Sequence, residues 1–215
     1  MSIIHSHVHS PNKWSNSTMK SILSLAVAAL MLSTTSAQTN WKVDKSHSNV
    51  DFTVTHLVIS EVRGSFKDFD ATFASEKADF TDMKLNATIK TASVFTDNER
   101  RDNHLRSIDF FNADSFPNIT FKSTSVKKTG NDTYEILGDL TIRNITKPVV
   151  LATKYKGAVE AFGGSRVAFK ATTSIDRFEF GTIWDKKIET GGLVVGKEVN
   201  ITLSMAFVKE KKQPN

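Results

Sequence analysis

The chain has 215 residues, with 28 Lys and Arg against 23 Asp and Glu, a net charge of +5 and no cysteine. Without cysteine there are no disulfides, thiolate metal sites or cysteine nucleophile, so the fold must be held by its apolar core, for which fifteen Phe are available. The basic excess is mild and ends in Lys209, Lys211 and Lys212; with no basic patch or recognisable module it excludes nucleic acid as a partner and leaves residues 210–215 as a solvated tail.

The chain opens on a leader. Lys20 precedes an apolar run of about eleven residues, Ile22 to Leu32, and Thr35-Ser36-Ala37 supplies the small residues of a cleavage site. The run is shorter than the roughly 20 residues of a membrane-spanning helix, so residues 1–37 read as a cleavable signal peptide and stable membrane insertion is not expected. Met19 lies inside this region, which makes residues 1–18 an extended n-region or an unused upstream start. His5, His7 and His9 fall upstream of the cut and have no role in the mature protein.

Residues 38–209 then read as a single domain. Apolar and polar residues alternate from Trp41 to Phe73, and the two-residue rhythm returns as far as Phe207, giving eight predicted strands. The first spans about Asn49 to Ile59; the second carries Phe69, Ala71 and Phe73 on one face, the third Leu85, Ala87 and Ile89, and the fourth Ile119 and Phe121. Gly130-Asn131-Asp132 turns the fourth into the fifth, which aligns Tyr134, Ile136, Gly138, Leu140 and Ile142. The sixth aligns Val149, Leu151 and Tyr155, the seventh, past a turn at Gly163-Gly164, Val167, Phe169, Ala171 and Ile175, and the eighth Val199, Ile201, Leu203, Met205 and Phe207.

Two segments break the rhythm. Asp97 to Asn112 places Arg101, Leu105 and Ile108 at helical spacing with Asp97 as N-cap, which predicts one inserted helix. Phe178 to Gly196 predicts a long loop or lid. Eight antiparallel strands with short turns and no βαβ unit imply an all-β, lipocalin-like, up-and-down barrel, since closure removes exposed edges. Such a barrel is filled by side chains or holds one slender ligand.

The candidate lining residues are Phe52, Val54, His56, Phe69, Phe73, Leu85, Ile89, Phe121, Ile136, Leu140 and Phe169 on the strands, with Phe110, Phe111, Phe180 and Trp184 from the two irregular segments. His56 shares the apolar parity, as a pocket residue or as a core histidine bonded to a neighbour. Arg100, Arg101, His104 and Arg106 cluster on or near the predicted helix, where they, Arg101, His104 and Arg106 foremost, either meet a ligand head group or form a solvated face paired with Asp102 and Asp109. No catalytic set emerges: neighbours Ser48 and His47 project to opposite strand faces, His47, His56 and His104 lack metal-ligand spacing, and the glycine loop Gly191 to Lys197 has Glu198 where a phosphate loop needs Ser or Thr.

The chain resembles the YceI-like proteins over essentially the whole mature sequence. The resemblance rests on Trp41-Lys42-Val43-Asp44 with His47-Ser48, Phe52 to Leu57 and Val62 to Phe69; on Arg101 to Ser107 with Asp109-Phe110-Phe111; on Gly138 to Ile142 with Thr146-Lys147-Pro148-Val149; and on Arg177 to Gly181 with Gly191-Gly192. Asn144-Ile145 departs from the glycine usual before Thr-Lys-Pro. The resemblance implies a periplasmic lipocalin-like barrel, commonly a homodimer, that binds a long-chain isoprenoid lipid: a polyprenol, a polyprenyl phosphate or an isoprenoid quinone. The lipid would be a ligand, and no cofactor is implied. An enzyme acting on such a lipid at the barrel mouth is the alternative, and a transmembrane eight-stranded barrel shares the alternation.

Overall fold

The structure is a computed structural model and describes residues 38–211; the leader and the end of the basic tail, and with them the signal-peptide reading, lie outside the described residues. Eleven strands build eight antiparallel staves, because three staves are each interrupted once. The first comprises β1 (Thr39–Val43) and β2 (Asn49–His56), separated by a 3-10 turn over Lys45–His47 that Asp44 caps by accepting from the Ser46 N–H at 3.2 Å. The second comprises β3 (Ser60–Phe66) and β4 (Phe69–Ser75), and the third β5 (Lys84–Lys90) and the two-residue β6 (Val94–Phe95). The remaining staves are β7 (Asn118–Lys128), β8 (Thr133–Ile142), β9 (Ile145–Ala161), β10 (Gly164–Asp176) and β11 (Val195–Lys209).

Closure depends on the length of β11, which pairs with β2 from Val195 to Ser204 and with β1 from Phe207 to Lys209. One stave thus holds both halves of the interrupted first stave, and the sheet has become an eight-stave barrel. The interruptions and the register shift between Ala168 and Phe169, opposite Gly157 at φ 119°, bend staves that would otherwise run flat.

Binary patterning sets the direction of each face. Along β8, Tyr134, Ile136, Gly138, Leu140 and Ile142 are buried while Thr133, Glu135, Leu137 and Asp139 are exposed. Lys122, Lys154 and Lys170 lie exposed on neighbouring staves. An outer wall with charges at mid-stave suits water, not hydrocarbon, which removes the transmembrane barrel.

One end of the barrel is plugged by rings. Trp41 stacks on Phe73 at 5.5 Å and 13°, Phe207 meets Phe73 edge-on at 4.9 Å, and Phe80 and Tyr155 pack on Phe169 at 5.5 and 5.4 Å. Phe80 enters from the β4–β5 loop, which the Asp82 carboxylate holds by accepting from Ser75 Oγ at 2.5 Å and the N–H groups of Glu76 and Lys77 at 2.9 and 3.3 Å.

The inserted helix covers the other end but is shorter than its pattern predicts. Helix α1 spans Glu99–Arg106, and its N-cap is Asn98, which accepts from the Arg101 N–H at 3.0 Å. Asp97 sits one residue earlier at φ 58° and cannot cap. The helix stops at Arg106 because Ser107 is extended and turns follow, so Ile108 is 63% exposed instead of facing the core. The segment predicted as a loop from Phe178 opens on a 3-10 turn, Arg177–Phe180, closed by Gly181 at φ 74°, and contains a bridge between Lys187 and Leu193.

Candidate ligand cavity and its mouth

The inward faces of the staves enclose a cavity of about 200 Å³. Phe52, Val54, Phe69, Leu85, Ile89, Phe121, Ile136, Leu140 and Phe169 line it from the staves, and Leu105, Phe110, Phe111 and Phe180 from the helix end. Phe73, placed with them by parity, lies instead in the aromatic plug below, because its stave continues past the cavity into the closed end. Packing contacts across a volume of this size are worth roughly 5 kcal/mol at about 24 cal/mol per Å³. An apolar occupant would recover that energy.

Two glycines make room for the wall's rings. A Cβ at Gly64 would lie 2.3 Å from Phe52 Cζ, its direct cross-strand partner being Phe52 itself, and a Cβ at Gly138 would lie 2.3 Å from Phe121 Cζ. Both rings therefore lie flat over a neighbouring stave and leave the lumen open.

The cavity shares Phe52, Val54, Leu105, Phe110 and Val195 with a vestibule at the helix end, which adds His56, Asn98, Arg100, Arg101, His104 and Trp184. Apolar wall thus gives way to polar rim at this one end. His56 is half-buried and none of the described residues hydrogen-bonds its ring, so it is a vestibule residue and not a bonded core histidine. His104 Nε2 lies 2.9 Å from Asp109 Oδ2, and its ring meets Phe110 at 5.0 Å and Trp184 at 5.6 Å. Asp109 also accepts the Trp184 N–H at its backbone carbonyl, 3.3 Å, so helix and loop are joined at the mouth.

The three basic residues expected at a head group separate. His104 and Arg101 line the vestibule, although Arg101 donates through Nε and Nη2 to Thr96 Oγ1 and O, both at 2.7 Å. Arg106 does not reach it: its guanidinium holds the carbonyls of Ala92 at 2.8 Å and Val94 at 3.0 Å, tying the helix to β6. Arg100, the fourth member of the basic cluster, lines the vestibule and is exposed.

Arg177 is the polar group that parity reasoning overlooked. It continues the inward series Val167, Phe169, Ala171, Thr173, Ile175 by one more step, so alternation alone would have found it. Only 5% exposed, it donates from Nε to the Gly196 carbonyl at 2.9 Å, from Nη2 to the Val195 carbonyl at 3.1 Å and from Nη1 to Thr182 Oγ1 at 3.1 Å. The guanidinium also lies 4.0 Å over the Phe178 ring. Burial lowers its pKa from the usual arginine range, partly offset by Asp176 and Asp185. It anchors the start of β11, and so the edge of the mouth, from inside the wall.

Among the described residues no group of three or more His, Asp or Glu is placed to hold a metal. Ser48 donates to the Ala206 carbonyl at 3.3 Å and accepts its N–H at 2.9 Å, a structural cross-link, while His47 Nδ1 lies 2.8 Å from Asp44 Oδ2.

Comparison with known proteins agrees with this architecture. The model of the YceI-like domain matches residues 41–207. Protein YceI of Escherichia coli O17:K52:H18 is 41% identical over 196 residues, covering 89% of this chain and 99% of that protein. The crystal structure of the Campylobacter jejuni YceI protein superposes with a TM-score of 0.62 at 32% identity, covering 79% of this chain and 96% of that one. A polyisoprenoid binding domain from Saccharophagus degradans shares the fold with a TM-score of 0.59 at 11% identity, covering 79% and 98%. With the family's domain spanning the barrel from first stave to last, this chain belongs to the YceI-like family.

Proposed function

We propose that this protein binds a long-chain isoprenoid lipid in the periplasm and carries it with the tail in the barrel and the head group in the vestibule. The observation that carries the reading is the cavity: an apolar lumen, closed by rings at one end and opening at the other onto His56, Arg100, Arg101 and His104. Such a lumen offers contact area to a chain and few groups to orient a reaction, which favours binding over catalysis. Burying one isoprene unit contributes on the order of 2 to 3 kcal/mol at about 25 cal/mol per Å², so several units bind without any specific hydrogen bond. The polyisoprenoid binding domain that shares this fold supports the ligand class. The periplasmic setting rests on the leader and on the family, and pairing of two copies on the family alone.

Denaturing organic extraction of the purified mature protein, followed by mass spectrometry, tests the reading. A prenyl lipid is the expected product. Recovery of none, together with no quenching of Trp184 fluorescence by an added prenyl quinone, overturns it. An Ala171→Trp variant, which fills the lumen from the wall, should stay folded and lose ligand.

A further inference from the structure

We propose that the aliphatic rim of the mouth, led by Val58 and Ile59 at the β2–β3 tip, seats in a zwitterionic phospholipid surface, so that ligand passes between bilayer and cavity without crossing water. The inference rests on the binding reading above for the ligand, and on separate observations for the docking. The tip is built against local preference. Leu57 and Val58 take φ of 52° and 69°, the left-handed region that Asn and Gly fill in tight hairpins and that a β-branched Val disfavours. Packing offsets little of this, since Val58, although it lies against Gly192, is 59% exposed and Ile59 91%. Polar turn residues would fold more easily here, so the aliphatic pair answers to something outside the chain.

The tip is fixed and joined to the vestibule. Leu57 N–H donates to the Val194 carbonyl at 2.8 Å, Val58 occupies the space a Cβ at Gly192 would need, and His56, the last residue of β2, lines the vestibule. Ile183, 60% exposed, donates its N–H to Asp109, which brings it beside the exposed Ile108 on the same end. Charge selects the occupant. Arg100, Lys186 and Lys187 and, of the opposite sign, Glu61, Asp185 and Glu189 are all exposed on the segments that carry the rim, three of each, so neither sign dominates among them. A balanced rim around an apolar centre complements a headgroup layer that presents phosphate and ammonium side by side, and creates no field to select an acidic or basic protein partner.

Flotation with phosphatidylcholine vesicles tests the docking. The full mature protein should float with the vesicles, and the Val58→Asp/Ile59→Asp variant should partition about tenfold less or weaker still, since it loses two inserting side chains. Phe162→Asp is the control, because Phe162 is likewise exposed (96%) at positive φ (50°) but lies at the opposite end, on the β9–β10 turn, with the Arg166 guanidinium 5.3 Å over its ring, and should float like the parent. Equal flotation of parent and tip variant, no flotation of the parent, or loss of flotation in Phe162→Asp alone overturns the proposal. A tip variant that floats normally but no longer self-associates in sedimentation overturns it in favour of a second copy on the rim. A second measurement follows prenyl quinone by Trp184 quenching, delivered from the same vesicles or from detergent. Uptake by the tip variant should slow at least about tenfold from vesicles and stay unchanged from detergent. If the parent takes up no quinone from detergent, the binding reading fails, and flotation still decides the docking.

Discussion

Arg177 and Asp82 show how single polar groups hold the two ends of the barrel. Arg177 meets two carbonyls and a hydroxyl from inside the wall, with no carboxylate in contact, so its loss leaves the Val195 and Gly196 carbonyls unsatisfied at the start of β11. Arg177→Met should lower unfolding free energy by about 2 to 4 kcal/mol in urea titration, and Arg177→Lys should recover only part of it, because an ammonium cannot fork to two carbonyls. At the plugged end, burial pushes the Asp82 pKa up, but hydrogen bonds from Ser75, Glu76 and Lys77 outweigh it and hold the carboxyl below its ordinary value. The sign follows. A folded-state pKa below the unfolded one contributes stability that is complete above about pH 4 and is lost as pH falls from there through the folded value. Asp82→Asn should therefore melt below the parent at pH 7, with the gap closing as pH falls below about 4 in thermal denaturation.

The glycines opposite aromatic rings act at the level of the stave. Gly64 and Gly138 have no side chain because Phe52 and Phe121 lie over them. At Gly138 a Cβ would also sit 2.6 Å from the Lys122 carbonyl, a backbone atom that cannot turn aside. Gly138→Ala should thus cost about 1 to 3 kcal/mol by denaturant titration, more than Gly64→Ala, where only side-chain atoms must shift. The strand pattern was legible because one face is uniformly apolar and period two is hard to mistake over seven or more residues. Seven-residue β3 was not read as a strand, since Val62 and Phe66 alone supply its large apolar side chains, and neither were the shorter elements. The five residues of β1 and two of β6 carry too few alternations to read, and α1 announced itself by Leu105 but ended early where Ser107 turned extended. Asn144 takes φ 61° in the β8–β9 turn, a left-handed conformation that its residue type tolerates.

For the whole molecule, the balance of core and cavity links stability to occupancy. A ligand that binds the folded chain alone stabilises it by about 2.7 kcal/mol at one hundred times its dissociation constant, a rise of roughly 5 to 11 °C in a domain of this size. Delipidated protein should melt lower than protein as purified, and added prenyl quinone should restore the difference in calorimetry. A melting temperature that does not respond to quinone would mean that the side chains themselves fill the barrel.

Which residues share the inner face was already settled by the sequence, because alternation is a property of each strand alone: Phe52, Phe121, Leu140 and Phe169 needed no partner to declare their side. What that face encloses was not. Whether rings fill the lumen or lie flat along its wall depends on the stave opposite, on Gly64 under Phe52 and Gly138 beside Phe121. Phe73 closes the barrel while Phe69, four residues earlier on the same face, lines the cavity, because their stave runs past the cavity into the ring plug. The mouth was hidden for the same reason. His56, His104, Arg177 and Trp184 lie on four separate segments, and only closure of β11 onto both halves of the first stave brings them to one end.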